Sequence, residues 1–303
     1  MNTPAIAVSN LSKRYGDVIA VNNASFEVPL GTICGFVGPN GSGKTTTIRM
    51  LLGLIKPTEG SASIIGNSIS HPEKYLQDVG AMIEGPAFYP ALSGIENLKV
   101  FAKLGGIPFE RCQELLELVG LGDRASDKYK NYSLGMKQRL GIAAALLPDP
   151  KLLILDEPTN GLDPAGIQEV RDLLEKLASN GVTVFVSSHL LSELEMISKY
   201  LVMLRKGEVV FAGPMRDLLH RNKPTIIAKP TSMNSLNYLA EIIDKTGHRA
   251  VVEADHVRVD AEESFAATIN KLAFESGIVL TQLTPVRPSL EETFFELTDG
   301  DLK

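Results

Sequence analysis

The fold is decided by residues 32–57, which read TICGFVGPNGSGKTTTIRMLLGLIKP. The stretch opens with a short apolar run typical of a buried strand and then passes through a glycine-rich turn. Its second half carries apolar residues at helical spacing between Ile48 and Ile55, and Pro57 ends that pattern. Runs with strand character alternate with helical patterns across the first two-thirds of the chain. This alternation predicts an α/β fold in which helices cover a mixed, largely parallel sheet.

The turn between this strand and this helix has the spacing of a phosphate-binding loop, GPNGSGKT at residues 38–45. Its glycines leave room for backbone N–H groups and the helix N-terminus to point at phosphate oxygens. Lys44 adds a positive charge at the β and γ phosphates, and the Thr45 hydroxyl is suited to bind Mg²⁺. A glycine-rich turn could match by chance, but the flanking strand and helix argue against that. The residues predicted to bind ATP here are Gly38, Pro39, Asn40, Gly41, Ser42, Gly43, Lys44, Thr45 and Thr46.

A second apolar run, LLILDEP at residues 152–158, ends in two adjacent carboxylates. Parallel strands end at the same edge of a sheet, so Asp156 and Glu157 should emerge beside the phosphate loop. Adjacent residues of a strand point to opposite sides, which would let the two acids divide the work. We expect Asp156 to support Mg²⁺ and Glu157 to polarise, as the catalytic base, the water that attacks the γ-phosphate. Taken alone, the pair could be two solvated acids. Its position after a phosphate loop favours the catalytic interpretation.

Composition limits where the chain works and what it binds. The 303 residues include only two cysteines, which form no disulfide framework or metal cluster and suit a reducing compartment. With 30 basic against 36 acidic residues, the net charge of −6 disfavours non-specific binding to nucleic acid. The sequence shows neither a secretory signal nor an uninterrupted apolar run long enough to span a bilayer. We therefore expect a cytoplasmic protein without nucleic-acid partners.

The motifs stop near Arg221, where a short basic stretch with two prolines suggests a linker. We place a nucleotide-binding domain at residues 4–220. A helical subdomain is inserted at about 85–147, where apolar stripes at helical spacing occur without a convincing strand. Residues 225–303 then form a small accessory domain.

The accessory domain has a mixed pattern of strands and helices, which predicts the α+β class. A capping box formed by Ser289 and Glu292 precedes an amphipathic run and predicts a final helix. The other predicted elements are strands near Ile226 and Val279, helices at about 236–245 and 265–272, and a hairpin across Asp255.

Residues 131–147, NYSLGMKQRLGIAAALL, distinguish this chain from other nucleotide hydrolases. Residues 132–136 occupy the places of the Leu-Ser-Gly-Gly-Gln motif, so the chain resembles the ATP-binding cassette family. Ser133 and Gly135 match the motif, and they are the physically essential positions: a hydroxyl that caps a helix and a residue without Cβ. The resemblance implies that this helix N-terminus points at the γ-phosphate bound by a second cassette, so hydrolysis requires two cassettes. For this segment alone, an ordinary serine-capped helix is the alternative.

Further positions of the family follow in the expected order. The resemblance implies that residues 161–163 form the loop through which two cassettes sense each other, with Asp163 among the ATP-binding residues. His189, at the end of VTVFVSSH, matches the switch histidine that contacts the γ-phosphate and holds the catalytic glutamate in place. Tyr15, in LSKRYGD, matches the aromatic residue that stacks on adenine. A single strand-end histidine or a single tyrosine would carry no such meaning by itself.

One position departs from the usual family pattern. Residues 80–98 read GAMIEGPAFYPALSGIENL, and Glu84 takes the place of a glutamine. The resemblance implies that this loop touches Mg²⁺ or its water and links the nucleotide site to the permease. A carboxylate in place of an amide removes a donor and adds negative charge. Glu84 and the C-terminal SLEETFFELT resemble the bacterial multidrug, bacitracin-resistance and lantibiotic-immunity type of exporter subunit, although drift in another export system is the alternative.

The resemblance covers roughly residues 4–220 and implies an ATP-binding, ATP-hydrolysing subunit of a transporter, with Mg²⁺ as its cofactor. Its partners would be a membrane permease on a separate chain and a second cassette, identical or paralogous. It would lie at the inner face of the membrane and drive export of a drug, peptide antibiotic or lipid-like substrate. The alternative is a non-transport cassette ATPase acting on a nucleic acid or protein, which the single set of motifs and the acidic charge disfavour. A pure binding module is disfavoured because the catalytic positions are intact.

Overall fold

A computed structural model describes the protein over residues 3–85, 87–219, 224–286 and 290. The chain divides into two compact units, Met1–Met215 and Arg216–Lys303. Within the described residues, no helix is both long enough and apolar enough to cross a membrane.

In chain order, the described strands are β1 (Ile6–Tyr15), β2 (Val18–Val28), β3 (Ile33–Val37), β4 (Glu59–Ile64), β5 (Asn67–Ser68), β6 (Val79–Met82), β7 (Leu152–Asp156), β8 (Thr183–Ser188), β9 (Tyr200–Arg205), β10 (Glu208–Pro214), β11 (Thr225–Pro230), β12 (Ala250–Val252), β13 (Val257–Asp260) and β14 (Leu280–Val286). The described α-helices are α1 (Lys44–Leu51), α2 (Gly94–Gly105), α3 (Glu110–Leu118), α4 (Leu134–Ala145), α5 (Pro164–Ser179), α6 (Leu191–Ile197), α7 (Met215–Leu219), α8 (Leu236–Asp244) and α9 (Ala266–Glu275).

The first unit is built on a six-stranded sheet in the order β10-β9-β3-β8-β7-β6. The strands from β9 to β6 run parallel, and β10 pairs antiparallel with β9. Every residue of β3 and β7 is buried, which explains their near-continuous aliphatic sequences. The sheet confirms the predicted α/β class. Because β3, β7 and β8 are neighbours and parallel, their carboxyl ends meet at one edge.

A smaller antiparallel sheet, in the order β2-β1-β4-β5, shares a hydrophobic core with the six-stranded sheet. The ring of Phe26 in β2 lies 5.9 Å from that of Phe36 in β3, between ring centres. Phe36 in turn lies 4.9 Å from Phe185 in β8. This sheet was not predicted from the sequence, although buried and exposed residues alternate along the second half of β2 as in a half-buried strand.

Between β6 and β7, the described residues form helices α2, α3 and α4 and no named strand. Helix α2 begins at a capping box, in which the Ser93 hydroxyl accepts a hydrogen bond from Glu96 N at 3.3 Å. The Glu96 carboxylate accepts one from Ser93 N at 2.7 Å. This is the region where apolar stripes without strands predict an inserted helical subdomain.

The second unit follows the order strand, helix, strand, strand, helix, strand, from β11 through α8, β12, β13 and α9 to β14. Its antiparallel sheet has the order β12-β13-β11-β14, which is the ferredoxin-like arrangement. A separate hydrophobic core joins this sheet to its helices through residues such as Ile226, Leu239, Val257 and Ile269. The unit confirms the α+β class predicted for this part of the chain.

Two predictions fall largely outside the described residues. They are the linker near residues 221–224, of which only Pro224 is described, and the final helix, of which only Leu290 is described.

Candidate functional site

The first six residues of the phosphate loop, 38–43, join the buried strand β3 to helix α1, and its last two residues begin that helix. At Gly43 the backbone has a φ of 105°, a left-handed conformation that favours glycine. A Cβ at Gly43 would lie 2.5 Å from Ala20 O, and one at Gly38 would lie 2.4 Å from Leu204 O. Both positions therefore require glycine because neighbouring backbone approaches closely. The exposed residues on the outer turn of the loop are Pro39, Asn40 and Gly41.

Two hydroxyl residues flank the start of α1. Ser42 is buried, and its Oγ has no hydrogen-bond partner among the described residues. Thr46 is half-buried on the first turn of the helix. An orphaned buried hydroxyl is unusual in a folded protein, and the oxygen of an anionic ligand would satisfy it.

Lys44 is the buried cation of the site, with 5% of its side chain exposed. Its Nζ donates to Gly38 O at 2.7 Å and lies 3.3 Å from Glu157 Oε1. A buried ammonium group needs such partners because it has lost its water. Lys44 thus connects the phosphate loop to the acidic end of β7.

Asp156 is held in place through both of its carboxylate oxygens. Oδ2 accepts a hydrogen bond from Thr45 Oγ1 at 2.7 Å, and Oδ1 accepts one from Ser187 Oγ. The Ser187 hydroxyl oxygen also accepts from Glu157 N at 2.9 Å. Asp156 and Ser187 are both buried. The network fixes a carboxylate and a hydroxyl side by side next to the phosphate loop.

Glu157 lies between a cation and an imidazole. Its Oε1 faces Lys44, and its Oε2 lies 3.0 Å from Nδ1 of His189. Its φ is 49°, a left-handed conformation that is uncommon for a residue with a side chain. Backbone strain of this kind concentrates at functional sites, where the surrounding structure holds it.

The prediction that strand alternation separates the two acids is wrong in its mechanism. Strand β7 ends at Asp156, and Glu157 already belongs to the turn that follows. The side chains do diverge, Asp156 toward Thr45 and Glu157 toward His189. The left-handed backbone of Glu157 produces this divergence, since the pleat of the strand has ended.

Helix α4 begins at the segment that resembles the cassette motif. Ser133 is its N-cap, and the Ser133 Oγ accepts a hydrogen bond from Met136 N at 3.2 Å. A Cβ at Gly135 would meet Leu162 Cδ2 at 3.8 Å, which is an ordinary contact. Nothing in the described part of this chain therefore requires glycine at that position, and one side of the helix start is open.

Tyr132, at the first position of that motif, is a buried packing residue. Its Oη donates to Arg124 O at 2.8 Å, and its ring centre lies 6.0 Å from that of Tyr129. Burial raises the pKa of the Tyr132 phenol, so the hydroxyl stays a donor. The tyrosine in place of leucine therefore packs against the segment that precedes α4, at Arg124 and Tyr129.

Residues 158–163 turn back after β7 and lead into α5. Leu162 N donates to Thr159 O at 3.1 Å, which closes a tight turn. Asp163 is the N-cap of α5 and accepts a hydrogen bond from Gly166 N at 3.0 Å. The turn brings Leu162 next to the start of α4.

Glu84 is paired with Arg49 of helix α1. The Glu84 side chain is 67% exposed, and its backbone has a left-handed φ of 59°. The pair ties the segment after β6 to the helix that begins at Lys44. Among the described residues, no hydrogen bond joins Glu84 to Thr45 or Asp156, and its metal-binding role stays a prediction.

Tyr15 stands at the end of β1 with about half of its surface exposed. The Nζ of Lys13 lies 5.1 Å from the centre of its ring. An exposed ring of this kind can stack on a base. In the described part of the chain, no hydrogen bond joins Tyr15, Ser133 or Asp163 to the cluster around Lys44, so their nucleotide contacts also stay predictions.

Sequence reasoning missed three residues of this region: Ser187, Thr159 and Glu193. Ser187 lies two residues before His189, and a serine near the end of the apolar run VTVFVSSH was the signal present in the sequence. Thr159 Oγ1 donates to Glu193 Oε2 at 2.6 Å. With Glu157 and His189, these last two residues line a cavity of about 220 Å³.

The chain is similar in sequence to ATP-binding proteins of ABC transporters. The family model described as ABC transporter matches residues 21–160. The bacitracin transport ATP-binding protein BcrA of Bacillus licheniformis is 41% identical over 298 residues, which cover 97% of this chain and 97% of BcrA. The lantibiotic transport ATP-binding protein SrtF of Streptococcus pyogenes is 42% identical over 205 residues, 68% of this chain and 89% of SrtF.

The fold is also similar to a solved structure of the ATP-binding cassette MJ0796, a dimer in a post-hydrolysis state bound to ADP and Pi. The two chains are 27% identical with a TM-score of 0.62, over 70% of this chain and 99% of that one.

Proposed function

The chain belongs to the ABC transporter family as an ATP-binding and ATP-hydrolysing subunit, and from that premise we propose how its residues divide the work. Transport relatives over the full chain remove the alternative of a non-transport ATPase. One cluster supports the division of roles. Lys44, Asp156, Glu157 and His189 meet at the edge where β3, β7 and β8 end.

The phosphate loop binds ATP through its backbone N–H groups and the N-terminus of α1. Lys44 neutralises charge on the β and γ phosphates, and the Ser42 hydroxyl, which lacks a described partner, is available to a phosphate oxygen. When ATP binds, the Lys44 ammonium exchanges its contact with Glu157 for the phosphates. This exchange frees Glu157 Oε1 for water.

Mg²⁺ fits beside Thr45 and Asp156. Hard cations take oxygen ligands, and Mg²⁺ uses one or two carboxylates together with substrate phosphates. The Thr45 hydroxyl would hold the ion with Asp156, directly or through water, and Glu84 would approach it from the segment after β6. When bound, the ion neutralises charge that builds up on the phosphate oxygens.

Glu157 is the general base of hydrolysis. Its carboxylate accepts the proton of the water that attacks the γ-phosphorus, while the bond to the β-phosphate oxygen breaks. His189 Nδ1, 3.0 Å from Glu157 Oε2, holds that carboxylate in orientation. The left-handed backbone of Glu157 supports this role, because it turns the carboxylate toward the strand end that carries His189.

A second cassette completes each ATP site. The open side of α4 at Gly135 leaves room for a phosphate group of the partner's ATP, and Ser133 caps the helix whose N-terminus would face it. The turn that ends at Asp163 lies beside this helix and would carry contact between the cassettes. Tyr15 would stack on adenine. The dimeric, ADP-bound state of MJ0796 supports this arrangement.

Subunits of this family act with membrane permease components. For this chain, the permease would be a separate chain, and the subunit would lie at the cytoplasmic face of the membrane. The exported substrate would be a drug, a peptide antibiotic or a lipid-like molecule. The names of BcrA and SrtF, bacitracin and lantibiotic transport ATP-binding proteins, support an antibiotic. Residues 4–220 would form the nucleotide-binding domain, with the helical subdomain at about 85–147, and residues 225–303 an accessory domain.

Glu157→Gln tests the catalytic assignment. We expect turnover to fall about 10²- to 10⁴-fold, because the amide cannot accept the proton of the attacking water. ATP binding and an ATP-dependent dimer should persist, since Gln keeps the size of the side chain. Phosphate release measures turnover, and size-exclusion chromatography with ATP measures the dimer. In cells that carry the permease, the variant should lose resistance to the exported antibiotic.

The matched control is Glu175→Gln, which removes an exposed carboxylate from helix α5 of the same unit. It should retain wild-type turnover. Normal phosphate release by Glu157→Gln would remove the proposed mechanism.

A further inference from the structure

Glu193 on helix α6 is a buried carboxylate that the mechanism above does not use. Only 9% of it is exposed, and no ion pair joins it to a cation in the described chain. Burying a carboxylate without a cation is costly, so such a group usually has a specific role.

Its side-chain hydrogen bond goes to another segment of the site and not to a residue of its own helix. Glu193 Oε2 accepts a hydrogen bond from Thr159 Oγ1 at 2.6 Å. Oε1 is buried and has no protein partner among the described residues. Glu193 also lines the cavity of about 220 Å³ that borders Glu157 and His189.

These residues form two pairs that join the same two segments of the chain. Thr159 lies two residues after Glu157, and Glu193 lies four residues after His189. The segments that leave β7 and β8 are therefore joined twice, by Glu157 to His189 at 3.0 Å and by Thr159 to Glu193 at 2.6 Å. The first link contains Glu157, which also contacts Lys44 of the phosphate loop at 3.3 Å, and all four residues line the same cavity.

A local role in capping α6 explains the side chain less well. A carboxylate in the first turn stabilises a helix through its free N–H groups. The cap of α6 at Leu190 has no side-chain hydrogen bond, and the bond of Glu193 goes to Thr159 on another segment.

We propose that Glu193 is a positioning residue for ATP hydrolysis, which holds Thr159 and thereby keeps Glu157 in register with His189. This role of Glu193 rests on the proposed function, in which Glu157 is the general base. Glu193 would touch neither nucleotide nor water in the reaction, and it would act through the turn at residues 157–159.

The test compares turnover in Glu193→Ala and Thr159→Val. In each variant we expect kcat to fall by roughly 10- to 100-fold, the range for residues that orient a catalytic group from one contact away. KM for ATP should stay within about twofold, because the phosphate loop is untouched. The double variant should lose no more than the worse single variant, since both substitutions break one link.

Conservative variants separate positioning from general destabilisation. Glu193→Gln keeps an oxygen that accepts from Thr159, so it should retain most of the turnover that Glu193→Ala loses. Thr159→Ser keeps the hydroxyl, so it should retain most of the turnover that Thr159→Val loses. Ser192→Ala, an exposed neighbour on α6, is the control and should leave kcat unchanged. Thermal melting of each full-length variant checks the fold; if Glu193→Ala unfolds, the Thr159→Val and Thr159→Ser pair carries the test.

Three results would overturn the inference: wild-type kcat in Glu193→Ala, additive losses in the double variant, or a loss in Glu193→Gln as large as in Glu193→Ala. The turnover of Glu157→Gln, measured alongside, distinguishes failure of the positioning role of Glu193 from failure of the catalytic role of Glu157. If Glu157→Gln is inactive and Glu193→Ala is normal, only the positioning role is wrong. If Glu157→Gln turns over normally, the proposed catalytic assignment itself fails.

Discussion

In the first unit, charged groups are buried where β3, β7 and β8 end, whereas in the second unit they pair at the surface of β11 and β13. Lys44 is 5% exposed beside Glu157. In the second unit, Lys229 and Asp255 form an ion pair with 40% and 47% of their side chains exposed. Both arrangements bring opposite charges together, but only the first removes its cation from water, with Glu157 23% exposed beside it.

The difference indicates which charges serve a ligand and which serve the fold. Burial of a charge costs several kcal/mol per ion, so a cluster of buried ions is weak evidence for stability. Exposed ion pairs contribute about 0–1 kcal/mol each and leave their groups solvated. We infer that the strand-end cluster is retained for its chemistry toward phosphate, and that the surface pairs of the second unit stabilise its hairpin.

The surface pairs form a connected set around the turn between β12 and β13. Hydrogen bonds from Lys229 and His256 lower the pKa of Asp255 to about 2. Glu253 accepts from Arg258 Nε at 2.7 Å on the same hairpin. The set therefore links the hairpin to β11 through Lys229.

Ser187→Ala should have the largest effect of the three changes that sharpen this comparison. The variant removes the donor to Asp156 Oδ1 and the acceptor of Glu157 N. Asp156 Oδ1 would lose its hydrogen bond while buried, which should lower the free energy of unfolding by about 1–3 kcal/mol, whereas Glu157 N would keep its hydrogen bond to Ser187 O. Turnover should fall on the order of tenfold, because the Asp156 carboxylate and the Glu157 backbone each lose a hydrogen bond. Denaturant unfolding and phosphate release measure the two effects.

Thr183→Val is the matched control, at the other end of β8. Its hydroxyl accepts from Gly31 N at 2.9 Å and is likewise buried, but it lies away from the carboxylates. It should reduce stability with little change in kcat. Equal losses of kcat in both variants would mean that Ser187 acts only through stability.

Asp255→Asn tests the surface side of the comparison. The folded pKa of about 2 lies below the usual Asp value of about 3.9, so the ionised group stabilises the unit above pH 4. That contribution is lost as the pH falls from about 4 to about 2. The variant should therefore lower protection of β11 and β13 amides at neutral pH and differ less from wild type in acid. Hydrogen exchange of the full-length chain measures this.

Glu262→Gln, an exposed acid of the same unit, is the control for Asp255→Asn and should leave protection unchanged at both pH values. A difference between Asp255→Asn and wild type that is constant down to pH 2 would contradict the linkage.

Glu84→Gln should have the smallest effect, because Glu84 combines a surface ion pair with a position near the site. Loss of its pair with Arg49 should change the free energy of unfolding by less than about 1 kcal/mol. If Glu84 approaches Mg²⁺, the Mg²⁺ concentration for half-maximal ATPase should rise about two- to threefold, since a neutral amide is a weaker ligand. A Mg²⁺ titration of ATPase activity measures the shift.

Arg49→Gln breaks the same pair but keeps the carboxylate, and it should not raise the Mg²⁺ requirement. If neither variant differs from wild type, Glu84 carries no special function. If both raise the requirement equally, the ion pair and not the metal is responsible.

The sequence by itself determined the fold class, the family and the ATPase activity, all of which are confirmed. Its motifs are contiguous in sequence, so the backbone conformation of each depends mainly on its own residues. The strand, the turn and the helix around Gly43 are an example. The same locality predicted the serine that caps α4. The roles of Glu157, His189, Tyr15 and Glu84 at the nucleotide remain predictions.

Only the tertiary structure decided which distant side chains meet. Ser187 reaches Asp156 across 31 residues, and Thr159 reaches Glu193 across 34, because β7 and β8 are neighbours in the sheet. In the second unit, the sequence predicted strands near Ile226 and Val279 and a hairpin across Asp255 but not their order, and packing against α8 and α9 selected the order β12-β13-β11-β14. Local pattern sets which face of a strand is buried, whereas strand order and register depend on the whole core that must be filled.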